Sequence, residues 1–181
     1  MFEVKGDLWR IAAISEVNAV AITTNGFVKA NRSAVLGKGC ALEALKQWPA
    51  IAAILGARIK DYGLRVEEIT CHDLYLSESS LPYSLVAFPV KPAQIVASEF
   101  NIVKHQRFHF PPGKVAPGWA AMAIPELIVK SSLQLVALID ANGWKKVLLP
   151  RPGCGAGALS WDEVKPLIAP ILDDRVVIVS K

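Results

Sequence analysis

The chain has 181 residues, a length that one hydrophobic core can serve, since cores commonly run to roughly 100–200 residues before a chain splits. Hydrophobic residues make up 52% and charged residues 20%, a balance that excludes intrinsic disorder, which requires low hydrophobicity and high net charge. Twenty basic against 16 acidic residues leave a net charge of +4, which suits an anionic partner such as a phosphate-bearing ligand or nucleic acid but is too small to choose between them.

Taken in chain order, a strand is expected over residues 2–5 and a buried one over 17–24. Helical pattern runs over 40–55 and is interrupted at Pro49, where a proline either kinks a helix or opens a second one. Strands follow at 68–71 and 84–90. Residues 92–124 then carry Pro111, Pro112, Gly113, Pro117 and Gly118 between aromatics, a long excursion where ordinary connections take ~2–6 residues. Such a loop is either a lid or an insertion without a role. A helix over 125–141 has Pro125 in its first turn and Gly143 placed to end it. A strand at 146–150 precedes a helix over 160–171, opened by the capping box Ser160-Trp161-Asp162-Glu163, and a last strand spans 176–180. Strands alternating with helices give an α/β sheet covered on both sides. No repeat, low-complexity tract or linker divides residues 1–181, so one domain is expected.

No apolar run reaches the ~18 residues of a membrane span. The opening MFEVKGDLWR has acids where a signal peptide would be basic and then apolar, so a cytoplasmic protein without a membrane partner is expected. Cys40, Cys71 and Cys154 are odd in number and widely spaced, unlike a disulfide framework or a CxxC metal knuckle. His72, His105 and His109 have no third convergent ligand. No metal site and no cofactor are expected. The segment KHQRFHFPPGK mixes basic and aromatic residues as single-strand nucleic-acid binders do, and a solvated loop has the same composition.

Two strand-to-helix junctions carry glycines. In VLLPRPGCGAGALSWDE, Gly153, Gly155 and Gly157 alternate after a buried strand and before the capped helix. Glycines let an anion approach backbone amides with no Cβ in the way, and successive N–H groups at a helix start form a nest for phosphate. The other junction, NRSAVLGKGCALEAL, follows residues 17–24. It is not a Walker A loop, because position 32 is arginine and Lys38 is followed by Gly39. Nor is it a dinucleotide-binding GxGxxG, because Leu42 stands where the third glycine belongs. Asn25 and Asn31 stand at its entrance as neutral partners for hydroxyls. Two such loops at one sheet edge suit an elongated ligand with a diphosphate.

AVLGKGCALEA and LPRPGCGAGALSWDEVKPLI, preceded by VKGDL, together resemble the macrodomain family, in the branch of terminal ADP-ribose glycohydrolase and the DNA de-ADP-ribosylating antitoxins. The resemblance extends from Val4 to Ile171, with 92–124 poorly matched. It implies a three-layer α/β/α sandwich around a mixed sheet, and ADP-ribose, free or on a macromolecule, as the partner. By it, Asp7 and Leu8 match the adenine end. Asn31, Asn25, Gly37, Lys38, Gly39, Cys40 and Ala41 match the distal ribose and phosphates. Gly153, Cys154, Gly155, Ala156, Gly157 and Ala158 match the diphosphate loop. Lys91, in VAFPVKPA, matches a lysine used near the anomeric carbon, where it either attacks as an amine or stabilises charge as an ammonium. One departure is plain: glycohydrolase members have an aspartate where this chain has Gly157. The resemblance thus implies hydrolysis of ADP-ribosyl links, with a non-catalytic ADP-ribose reader and a nucleic-acid-binding domain as competing readings.

Overall fold

The computed structural model describes residues 1–77 and 80–181. Helices α1 (Leu8–Ile14), α2 (Gly39–Gln47), α3 (Ile51–Tyr62), α4 (Pro125–Asn142) and α5 (Trp161–Ile168) surround a six-stranded sheet. Its strands are β1 (Phe2–Lys5), β2 (Ala19–Asn25), β3 (Glu67–Ile69), β4 (Ser84–Lys91), β7 (Val147–Pro150) and β8 (Val176–Ser180), in the order β1-β8-β7-β2-β4-β3. All neighbours are parallel except β3, which pairs antiparallel with β4, so the sheet is mixed.

Side chains of β2 and β4 alternate between two apolar layers, as the period of two in a strand requires. Val20, Ile22, Leu85 and Ala87 face α1, α2 and α3 through Leu8, Ala44 and Leu55. Ala19, Ala21, Val86 and Phe88 face α4 and α5 through Ile128, Leu135 and Val164. The expected three-layer α/β/α sandwich is thus formed, and the central strands are buried on both faces because both carry unbroken apolar runs, 19–22 in β2 and 85–90 in β4. Pro49 separates α2 from α3 rather than kinking one helix, and α3 continues to Tyr62, beyond the expected end at residue 55.

Helix α1 and the strands β5 and β6 were not expected from the sequence. Asp7 does not simply turn the chain: Oδ1 accepts from Trp9 N and Arg10 N at 3.1 and 2.9 Å, capping α1. The 92–124 excursion contains a hairpin, β5 (Gln94–Val96) with β6 (Val115–Pro117), over a small cluster of Ala97, Ile102 and Ala116. The excursion is anchored at both ends. Gly118 N donates to Ala93 O, and Ala123 N donates to Gly157 O at 2.9 Å, which ties its return to the second glycine loop. No helix of the described residues is long and apolar enough to cross a membrane.

Candidate functional site

The carboxyl ends of β1, β8, β7, β2 and β4 open into one cleft of about 640 Å3. Such strand ends are where open α/β sheets take ligands. Four strand intervals of ~4.8 Å separate β1 from β4, giving a groove of about 19 Å, long enough for an extended dinucleotide-like ligand. Both glycine loops line it, as do Leu8, Asn25 and Lys91.

Among the described residues, Lys91 is the only buried one of an ionisable basic or acidic type, at 6% exposure. A local irregularity aims it. Register between β2 and β4 runs Thr24↔Pro89 and then Asn25↔Lys91, leaving Val90 as an extra residue. Pro89 has no N–H for the ladder, and its carbonyl accepts instead from the buried Ser131 hydroxyl at 2.7 Å. The resulting bulge re-aims the following side chain, as bulges beside functional sites do. Lys91 Nζ donates to Ala156 O at 2.7 Å and to Trp119 O at 3.2 Å. Burial, aided by the charge of Lys38, lowers its pKa from 10.5 to about 8.

The first glycine loop is held from behind. Asn25 Nδ2 donates to Val35 O at 2.8 Å, and its Oδ1 accepts from Phe27 N. Asn25 therefore lines the cleft while its amide fixes the loop. Gly39 has φ +59, a left-handed conformation that glycine adopts without strain and that opens α2 at Lys38. Lys38 Nζ lies 2.9 Å from Nε2 of His105, a contact that joins this loop to the excursion across the cleft mouth. A second, more open cavity lies there, with Leu42, Lys104 and Ala158 on its walls.

In the second loop, a Cβ at Gly155 would meet nothing within 4 Å, so its backbone faces open space. Gly157 is the reverse: a Cβ there would lie 2.4 Å from Gly153 O and 2.7 Å from Ala123 Cβ. Packing thus leaves no room for a side chain such as aspartate here, because the loop's own Gly153 carbonyl and Ala123, where the excursion returns, occupy the space. Burial raises the thiol pKa of Cys40 and takes that of Cys154 to about 11, so both stay neutral at physiological pH. All three cysteines are free.

Three of the expected contact residues lie off the wall of the main cleft. Asp7 is not on the cleft wall, although its neighbours Gly6 and Leu8 are, because its carboxylate caps α1. Asn31 is exposed and off the wall, its Oδ1 accepting from Ser33 N in the turn before the glycine loop. Ala158 lines the outer cavity rather than the main cleft. No group of three or more metal-ligating side chains occurs among the described residues.

The structure adds residues that sequence reasoning missed. Thr24, 4% exposed, lines the cleft with a buried hydroxyl that has no partner, and Nε of Arg151, also a lining residue, is likewise buried and unpaired. These are the two such atoms among the described residues, and both belong to this cleft. Buried polar groups in folded proteins are nearly always paired, so a site awaiting a ligand is where orphans are expected. Thr24 had a weak signal, as a polar residue at the end of an apolar strand. Trp119 had none, since the excursion's path could not be read. The cleft is electropositive: Lys38, Lys91, Arg151 and Lys181 line it with Glu43, whose carboxylate already accepts from Trp9 Nε1 and Lys181 Nζ.

Neither any family model nor any curated protein matches the sequence. Solved structures do. The macrodomain of Thermus aquaticus DarG superposes with a TM-score of 0.67 at 20% identity, covering 99% of this chain and 97% of that one. That of Mycobacterium tuberculosis DarG gives 0.65 at 18%, with the same coverage. Thermosipho africanus DarTG, in complex with ADP-ribose, gives 0.65 at 20% over 98% of this chain and 41% of its own. At such identities the likeness is one of architecture. This chain has the macrodomain fold.

Proposed function

We propose that the cleft binds ADP-ribose and that the protein hydrolyses ADP-ribosyl linkages, with Lys91 acting at the distal ribose. The likeness to a structure that holds ADP-ribose supports the ligand. So do the electropositive groove and the two glycine loops, whose open amides suit a diphosphate.

The observation that carries the catalytic part is the setting of Lys91. A neutral amine has two N–H groups, and two carbonyls stand ready for them, Trp119 O and Ala156 O. The nitrogen's remaining position is then a lone pair held clear of both. With a pKa of about 8, about one lysine in ten is in this form at neutral pH, against fewer than one in a thousand at the ordinary value. The amine attacks the anomeric carbon, and the bond to the attached group breaks as that group leaves with the electron pair and takes the proton lost by the lysine nitrogen. Water then adds its hydroxyl to the same carbon and returns its proton to the nitrogen, so lysine departs as the free amine. Net, one water is consumed and ADP-ribose is released.

The test is release of ADP-ribose from base-linked ADP-ribosyl DNA and from carboxylate-linked ADP-ribosyl protein. Turnover by the parent and its loss in Lys91→Ala, with binding retained, support the enzyme. Binding without turnover on either linkage makes the protein a reader. Affinity for unmodified strands, with no response to ADP-ribose, moves the function to the excursion, where Phe108 is 93% exposed beside Arg107 and His109.

A further inference from the structure

With Lys91 at the distal ribose, the base of ADP-ribose falls at the far end of the groove and needs a partner there. That end is built from the turn after β1 and the end of β8, through Gly6, Leu8, Val179 and Lys181, with Arg151 from the end of β7. Among the described lining residues, the aromatic rings are those of Trp119 and His105. Both lie elsewhere: Trp119 O bonds Lys91, and His105 bonds Lys38 at the mouth. A purine at the β1/β8 end therefore meets no aromatic ring among the described residues.

One planar group is available there. The Arg151 backbone N–H donates to Val179 O, and its side chain crosses the end of β8 to reach Glu3 of β1. Its guanidinium carbon lies 5.0 Å from the centroid of the Trp161 ring. Glu3 fixes the pair, because one oxygen, Oε2, accepts from both Arg151 Nη2 at 3.2 Å and Trp161 Nε1 at 3.0 Å. The other oxygen pairs with Lys165 at 2.6 Å. Trp161 is not part of the cleft wall and Arg151 is, so the ring backs the guanidinium and leaves its other face for a ligand. The unpaired Nε–H of Arg151 marks the same side chain as unfinished without one.

We infer that Arg151, pinned by Glu3 and backed by Trp161, is the platform on which the adenine of the ligand stacks. Guanidinium planes stack on bases as aromatic rings do, and a flat group already locked between a ring and a carboxylate loses little freedom on binding. This deepens the ADP-ribose reading and rests on it. The residue acts through its plane, whereas a phosphate-binding arginine would act through charge.

Calorimetric titration of the parent, Arg151→Ala and Arg151→Lys with ADP-ribose, AMP and ribose 5-phosphate separates the two. Stacking predicts that both variants lose about tenfold in affinity for ADP-ribose and AMP, while ribose 5-phosphate changes less than about twofold. Arg151→Lys keeps the ion pair with Glu3, so the test survives if Arg151→Ala unfolds; a thermal melt checks each. AMP bound by Arg151→Lys as tightly as by the parent overturns the inference, since charge alone then suffices. So does an equal loss for ribose 5-phosphate, which would place a phosphate at Arg151. A parent that ignores ADP-ribose altogether overturns the ligand reading itself, and the platform with it.

Discussion

Among single residues, the proposed chemistry turns on Lys91. Its folded pKa of about 8 lies below the ordinary 10.5 because burial disfavours the charge and Lys38 repels it. Raising the pH through 8 therefore increases the amine fraction, and kcat/KM is expected to climb about tenfold per pH unit up to that point and then level. A flat profile would exclude the amine as nucleophile. Lys91→Ala should lower turnover at least about 100-fold while the Kd for ADP-ribose moves by less than about threefold; Lys91→Arg, which keeps charge but offers no usable lone pair, should fail equally. Gly157 gives a prediction of the opposite kind. Installing the aspartate found in glycohydrolase members should bring no gain in turnover and should cost about 1–3 kcal/mol of stability in a chemical denaturation series, because Gly153 O and Ala123 Cβ occupy its space. The pattern of glycines was legible in the sequence. The reason for this one was not, since it depends on where the excursion returns.

Among the elements, the excursion matters most, because it supplies Trp119 O to Lys91 and Ala123 to the second glycine loop. Its anchor is Gly118, where a Cβ would lie 1.6 Å from Pro92 O. Gly118→Ala should therefore displace the hairpin and lower turnover about 10- to 100-fold, more than it lowers ADP-ribose affinity, with the melt of the sheet largely kept. Equal losses in both would mean that the hairpin is a binding wall rather than a positioner of Lys91. The regular elements were read well where apolar pattern and punctuation agree: residues 2–5 and 176–180 are strands as expected, and Ser160 and Glu163 form the capping box at α5. Failures came where signals were short or ambiguous. The seven-residue α1 hid behind a Gly6-Asp7 turn signal, and β5 and β6, three residues each, lie among prolines and glycines that spoke only of loop. The bulge at Pro89–Lys91 depends on pairing with β2, which no local pattern records.

Over the whole molecule, the order β1-β8-β7-β2-β4 lays out the groove, so one end meets Arg151 and the other Lys91. The alternation of strands and helices made the layers legible, and the two glycine loops located the sheet edge. Asn31 and Asp7 lie off the cleft wall, because polar residues beside such loops serve caps and turns as readily as ligands. Whether this groove takes ADP-ribose is decided by calorimetric titration of the parent and of Gly155→Trp. Gly155 has open space where a side chain would go, so the substitution should fill the cleft while leaving the melt unchanged. One-to-one micromolar binding of ADP-ribose by the parent is expected, with none by Gly155→Trp and no salt-sensitive binding of an unmodified DNA oligomer. Silence toward ADP-ribose, or equal binding by the blocked variant, would contradict the ADP-ribose reading.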